Sequence, residues 1–302
     1  MDGSLNTDVL RDIYVRWKHQ MDTMPEMPIE LLRAQFDEWN YATLEPEGVM
    51  YRQDVVGGVP GLWVLPEDGA RDSVLLYFHG GGFAVGSSAS HRRLVGHLST
   101  HLRVPAFVLD YRRSPEHPFP SQIEDALAAY EALLDRGYAP ERIGTAGDSA
   151  GGNLAVSSVL AMRGRGLPLP SHVIALSPWL DMAHTGASLE ANKDSDVLID
   201  RAVLESMAAM FLGASGSPDD ALANPLYGSF TGYPRLYIDA GGDEMLLDDA
   251  VRLDELARNS GVDVTLSVVD GMQHVFPFSA GRSREADEEL ERIAGWFHQG
   301  ER

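Results

Sequence analysis

The chain has 302 residues, with 45 acidic against 24 basic side chains, and its formal charge of −21 would repel nucleic-acid phosphates and anionic lipid. It has no cysteine, which excludes disulfides, thiolate zinc sites and thiol catalysis together. No apolar run approaches the roughly 18 residues of a membrane span, and the acidic N-terminus lacks a basic-then-apolar export pattern, so a cytoplasmic location is the expectation.

The first 45 residues read as a segment too small to fold alone. Helical stretches at Thr7 to about Met21 and Ile29 to Trp39 flank the link Met24-Pro25-Glu26-Met27-Pro28. Trp17, Met21, Leu32, Phe36 and Trp39 recur at helical spacing, as in a lid with one apolar face. From Val49 the pattern becomes strand-like. Val49–Val56 and Leu62–Leu65, joined by Gly57-Gly58-Val59-Pro60-Gly61, predict an antiparallel hairpin. Strands and helices then alternate. Strands are expected at 73–78, 105–109, 143–146, 173–176, 235–240 and 262–269, with helices after 91, 120, 149 and 285. This alternation predicts an α/β protein with a mainly parallel, doubly wound sheet. The rhythm stops between Ser177 and about Gly232. One amphipathic helix is expected there, N-capped by Asp200, with Val203, Leu204, Met207, Ala208, Phe211 and Leu212 along one face. Such an insertion, at about 180–230, is a natural covering element for a catalytic domain spanning 46–302.

The chemistry collects after the strands. His79-Gly80-Gly81-Gly82-Phe83 follows the first buried strand, where glycines let backbone N–H groups turn toward a ligand. A phosphate-binding turn is disfavoured, because the run matches neither a dinucleotide fingerprint nor a P-loop with its lysine. Gly147-Asp148-Ser149-Ala150-Gly151-Gly152 is a G-x-S-x-G pattern at a strand-to-helix junction, which can expose a serine hydroxyl on a sharp turn. With Ser149 as nucleophile, the N–H groups of Gly81, Gly82 and Ala150 are the natural oxyanion donors. Ser149 also needs a base and an orienting acid, in the chain order Ser, acid, His. His274 lies directly after the last strand, unlike His298 in the final helix or His172 and His184 elsewhere, and is the expected base. After the preceding strand, Asp243 and Glu244 compete for the role of acid, with Asp248 a more distant third. Tyr111 to Pro120 reads as a proline-fixed loop in which Arg112 and Glu116 could pair. Asp148 reads as a structural tie for the turn.

In these motifs the chain resembles the bacterial hormone-sensitive-lipase-like esterases of the α/β-hydrolase fold, over about Val74 to Trp296. The resemblance rests on HGGGF at 79–83, YRRSPEHPFP at 111–120, GDSAGG at 147–152, and the later acid and histidine. The family's acid motif resembles G-x-D-P-L-x-D. In ungapped register Gly242, Glu244, Leu246 and Asp248 fall on it, which places Glu244 where the family usually has Asp, although the proline is missing. Aligning on Ala240-Gly241 instead would select Asp243 and spoil the later matches. The resemblance further implies a cap made of the N-terminal helices and the insertion, no metal or other cofactor, and a possible homodimer.

The expected reaction is two-step acyl transfer on a small-molecule ester, without nucleic-acid or membrane partners. Phe83, Trp179, Met207, Met210, Phe211 and Trp39 are candidate pocket walls, and a small capped apolar pocket suggests short to medium acyl chains. A lactone, carbamate or amide could use the same machinery. A non-catalytic receptor on this fold would be expected to lose the serine, the histidine or the glycines, all of which are present.

Overall fold

The computed structural model describes residues 8–24 and 26–299; Thr7 and Pro25, expected in the first helix and the link, lie outside them. Helices α1 (Asp8–Thr23) and α2 (Ile29–Phe36) come first, and a 3-10 turn over Asp37–Tyr41 follows. The hairpin β1 (Val49–Val56) and β2 (Val59–Pro66) turns on Gly57-Gly58 alone. Both glycines have positive φ (62° and 81°), which suits a two-residue turn matched to strand twist. Val59, Pro60 and Gly61, expected in the loop, therefore pair as strand with Val56, Val55 and Asp54.

The remainder alternates as β3 (Val74–Phe78), α3 (Ser88–Leu102), β4 (Ala106–Leu109), α4 (Ser121–Asp135), β5 (Ile143–Asp148), α5 (Ala150–Gly164) and β6 (His172–Leu176). After an insertion carrying α6 (Ser188–Ala191) and α7 (Arg201–Leu212), it closes with β7 (Arg235–Gly241), α8 (Leu247–Asn259), β8 (Val264–Val269) and α9 (Arg284–Gln299). The eight strands form one sheet in the order β1-β2-β4-β3-β5-β6-β7-β8, parallel from β4 to β8.

Burial explains why the central strands read as continuous apolar runs. Every residue of β3 is buried, yet Val74, Leu76 and Phe78 join one apolar cluster and Leu75 and Tyr77 the other. Alternate side chains thus serve opposite faces, both covered by helices. Capping sets helix starts that periodicity could only approximate. Ser87 and Ser90 form a reciprocal capping box at α3, and Asp200 accepts the Val203 N–H at 2.8 Å at α7, as expected. Arg112 and Glu116 do not pair. Arg112 bonds Asp125 and Glu124, whereas Glu116 receives both guanidinium nitrogens of Arg33 at 2.7 Å. Arg33 stands on α2 beside the loop, a neighbour that only the folded chain supplies.

The N-terminal segment docks through aromatic rings. Trp17 packs on Phe36 (centroids 4.4 Å) and Trp39 (5.4 Å), and Trp39 stacks on Phe278 at 5.1 Å. Phe278 lies just beyond His274, so this packing brings α1 and α2 to the loop that follows β8.

Candidate active site

The geometry starts from a backbone constraint. Ser149 joins β5 directly to α5 with φ 52° and ψ −120°, a conformation that non-glycine residues rarely adopt. Two residues to either side, Gly147 and Gly151 have no room for a side chain. A Cβ on Gly147 would sit 2.2 Å from the Gly151 carbonyl oxygen, and one on Gly151 would sit 2.0 Å from that of Phe78. Backbone bonds hold the strained residue: its N–H donates to Leu176 (2.8 Å), and its carbonyl accepts from Asn153 (3.1 Å) and Trp179 (3.0 Å).

Asp148 couples this turn to the glycine loop. Its carboxylate accepts from the Tyr77 hydroxyl (2.7 Å) and the Gly80 N–H (3.1 Å) and lies 3.2 Å from His91 Nε2. Burial works against its charge, but His91 and the Tyr77 bond outweigh burial and hold the carboxyl below the ordinary carboxylate value. A Cβ on Gly80 would meet this carboxylate at 2.2 Å, which explains a glycine there. Gly81 and Gly82 then take positive φ (108° and 59°). The N–H groups of Gly81, Gly82 and Ala150 have no acceptor among the described residues. Unpaired donors beside a serine hydroxyl suit a developing oxyanion.

His274 follows β8 in the loop before Phe276. The residue after it, Val275, has φ 50° and donates its N–H to Ser177 Oγ at 3.0 Å. The His274 carbonyl accepts from the Tyr14 hydroxyl of α1 at 2.9 Å. Its Nδ1 faces Glu244 Oε2 at 3.3 Å, and both side chains are buried. Burial alone would depress the imidazole, but the bond and charge of Glu244, then the charges of Asp196 and Asp148, raise it above the ordinary 6.5. Asp243 faces elsewhere: its main chain bonds Met272 and Ser195, and its carboxylate has no bond to His274. Asp248 accepts from the Ala187 and Ser188 N–H groups and so anchors the insertion.

Ser149, His274, Gly81 and Gly82 line one cavity. Its other walls are apolar: Met21, Phe36 and Trp39 from the N-terminal segment, Trp179, Leu198, Ile199, Val203, Leu204 and Met207 from the insertion, and Leu246. Of the expected walls, Trp179, Met207 and Trp39 are there. Phe83 and Phe211 are not, because they stack on each other (3.8 Å, 12°), each about 1% exposed, and serve as packing behind the wall. Met210 turns to a second cleft, between α1, α2 and α7. The wall residues missed in sequence include Leu198 and Ile199 directly before the helix cap, whose apolar character was the available signal. Nothing local marked Tyr14 or Asp196 as neighbours of His274.

Among the described residues no group of three His, Cys, Asp or Glu side chains could hold a metal ion, and no helix is long and apolar enough to cross a membrane. The model of a family with the α/β-hydrolase fold matches residues 75–278. This chain belongs to that family. An acetyl-hydrolase of Streptomyces hygroscopicus is 44% identical over 223 residues, 73% of each chain. An esterase of Acinetobacter venetianus is 30% identical over 95% of this chain and 93% of its own. The crystal structure of an esterase from the bacterial hormone-sensitive lipase family superposes with TM-score 0.93 at 35% identity, covering 99% of both chains. The chain is thus an enzyme of the carboxylesterase type within the bacterial hormone-sensitive-lipase group.

Proposed function

We propose that this enzyme hydrolyses small carboxylic esters with short to medium acyl chains through an acyl-enzyme on Ser149. His274 Nε2 takes the Ser149 proton while Oγ attacks the ester carbonyl. The oxyanion forms against the N–H groups of Gly81, Gly82 and Ala150. Glu244 accepts from His274 Nδ1 and stabilises the imidazolium. Collapse of the intermediate breaks the ester C–O bond, and His274 returns the proton to the departing alcohol. Water then adds its oxygen to the acyl carbon and its proton to His274, and Ser149 recovers a proton as the acid leaves.

One observation carries this reading: a strained serine shares an apolar cavity with a carboxylate-paired histidine and the loop of unpaired amides. The walls support a compact acyl group, since Trp39, Trp179 and Met207 confine the space around Ser149. The acetyl-hydrolase and esterase names of the relatives point the same way. The N-terminal segment and the insertion would act as the cap that keeps water from the reacting centre. Steady-state hydrolysis of p-nitrophenyl esters of increasing chain length tests both parts. Ser149→Ala is expected to abolish turnover, and activity is expected to peak below C12. Unchanged turnover in the variant would refute the mechanism, and a peak at C12 or beyond the chain-length assignment.

A further inference from the structure

Asp196 is a buried carboxylate in the insertion, 6% exposed, that forms no ion pair among the described residues. Its Oδ1 accepts the N–H groups of Leu198 (2.9 Å) and Ile199 (2.8 Å), two residues whose side chains wall the cavity. Its Oδ2 crosses to the Met245 N–H at 2.8 Å, the peptide directly after Glu244. The next residue, Val197, donates its N–H to Gln273 Oε1 at 2.9 Å, directly before His274. Asp196 therefore bonds the peptide that follows Glu244, and its neighbour Val197 bonds the residue that precedes His274.

Its neighbours could supply the mechanical part of this arrangement without charge. Asn192 Nδ2 donates to the Gly242 and Glu244 carbonyls (3.0 and 2.8 Å), and Ser195 Oγ to that of Asp243 (3.0 Å). Neutral side chains thus suffice to stitch the insertion to the acid loop. A carboxylate buried without a cation is costly and needs a further reason. Glu244 provides the context, because its Oε1 is buried without a donor and only Oε2 meets the imidazole. The charged and titratable groups around His274 are Glu244 from the β7–α8 loop, Asp196 from the insertion, Asp148 from β5 and Tyr14 from α1.

We propose that Asp196 is a positioning residue that sets the peptide after Glu244 and lends His274 a second buried negative charge when the imidazolium forms. The proposal rests on the reading of Ser149, His274 and Glu244 given above. Burial raises the Asp196 carboxyl above its ordinary value and outweighs the Met245 and Ile199 N–H groups and the His274 charge, which favour its charged form. In turn, the Asp196 charge raises His274.

The test is the pH dependence of kcat/KM for a short p-nitrophenyl ester in Asp196→Asn, Ser195→Ala and Ser149→Ala. Asp196→Asn removes the charge at nearly constant shape. It should lower kcat about tenfold, as loss of an outer partner of a functional histidine typically does, and move the acid limb to lower pH. Ser195→Ala loosens the same seam without changing charge and should leave the limb in place. An unmoved limb in Asp196→Asn, or an equal displacement in Ser195→Ala, overturns the proposal. If Asp196→Asn does not fold, Asp196→Glu keeps the charge on a longer arm. It should then lower kcat with the limb unmoved, and a limb moved to lower pH would refute the charge. Activity surviving Ser149→Ala would instead refute the site, a result separate from any Asp196 outcome.

Discussion

At Ser149 the chain is held by its own backbone, whereas around Asp196 it is held by side chains drawn from distant segments. The serine turn joins adjacent elements, and its requirements are steric: glycines at 147 and 151 because carbonyl oxygens lie about 2 Å from where a Cβ would stand. The seam joins the insertion to loops after β7 and β8, and its requirements are polar: Asn192, Ser195 and Asp196 satisfy main-chain groups of residues 242–245. The turn leaves almost no freedom of sequence, so it is recognisable. The seam can be built by many combinations of donors and acceptors, so no local motif announces it. The two meet at His274, whose loop touches the Ser177 hydroxyl near the turn and, through Gln273, the insertion.

The comparison breaks most sharply at the acid. Replacing Glu244 by Ala should cost kcat on the order of 10⁴-fold, the scale seen for triad acids, because it removes the acceptor that orients His274. Asp243→Ala should cost far less, since only its main chain contributes to the site. Steady-state kinetics of the pair would expose a reversed ranking.

A smaller effect separates two glycines on α5. Gly151→Ala forces a methyl group against the Phe78 carbonyl and should destabilise the fold by about 3 kcal/mol, the upper part of the usual overpacking range, with loss of activity. Gly164→Ala, with nothing within 4 Å of the added carbon, should stabilise by about 0.5–1 kcal/mol. Thermal melts of both variants measure whether steric demand is confined to the turn.

The smallest expected loss of stability lies in the insertion. Asp181 accepts from Thr185, Asn224 and Arg252. Although burial opposes its charge, the Thr185 and Arg252 donors and the Ala183 N–H hold its carboxyl down at about 2. A depressed folded-state value means that its stabilisation is present above the ordinary value of 3.8 and is lost as pH falls toward 2. Asp181→Asn should lower stability at neutral pH by about 1–2 kcal/mol and flatten the profile between about pH 4 and 2. Denaturant titrations across that window would show it, and an unchanged slope would remove Asp181 from the acid response.

Much of this was readable before folding. Apolar runs mark the positions of the buried strands to within one or two residues, since a strand covered on both faces is mostly apolar. Ser149, His274 and the glycine loop were identifiable because each needs a particular residue type at a strand end. The hairpin turn is shorter than the local pattern suggests, since a strand residue facing a close neighbour, as Gly61 faces Phe107, looks locally like a loop glycine. Phe83 and Phe211 were assigned to the pocket on proximity to the oxyanion glycines and on helical face, but their ring planes meet each other instead of the cavity.

The amino-acid sequence by itself determined the sheet-borne machinery and the family, because strained turns and doubly covered strands tolerate few residue types. The ungapped register already favours Glu244, but only the tertiary structure shows that Glu244 faces His274 while Asp243 does not, since adjacent side chains diverge at a loop. It also decided that Tyr14, from 260 residues upstream, bonds the His274 carbonyl. Contacts between segments so far apart depend on how the helices pack, and the local pattern of neither segment records them.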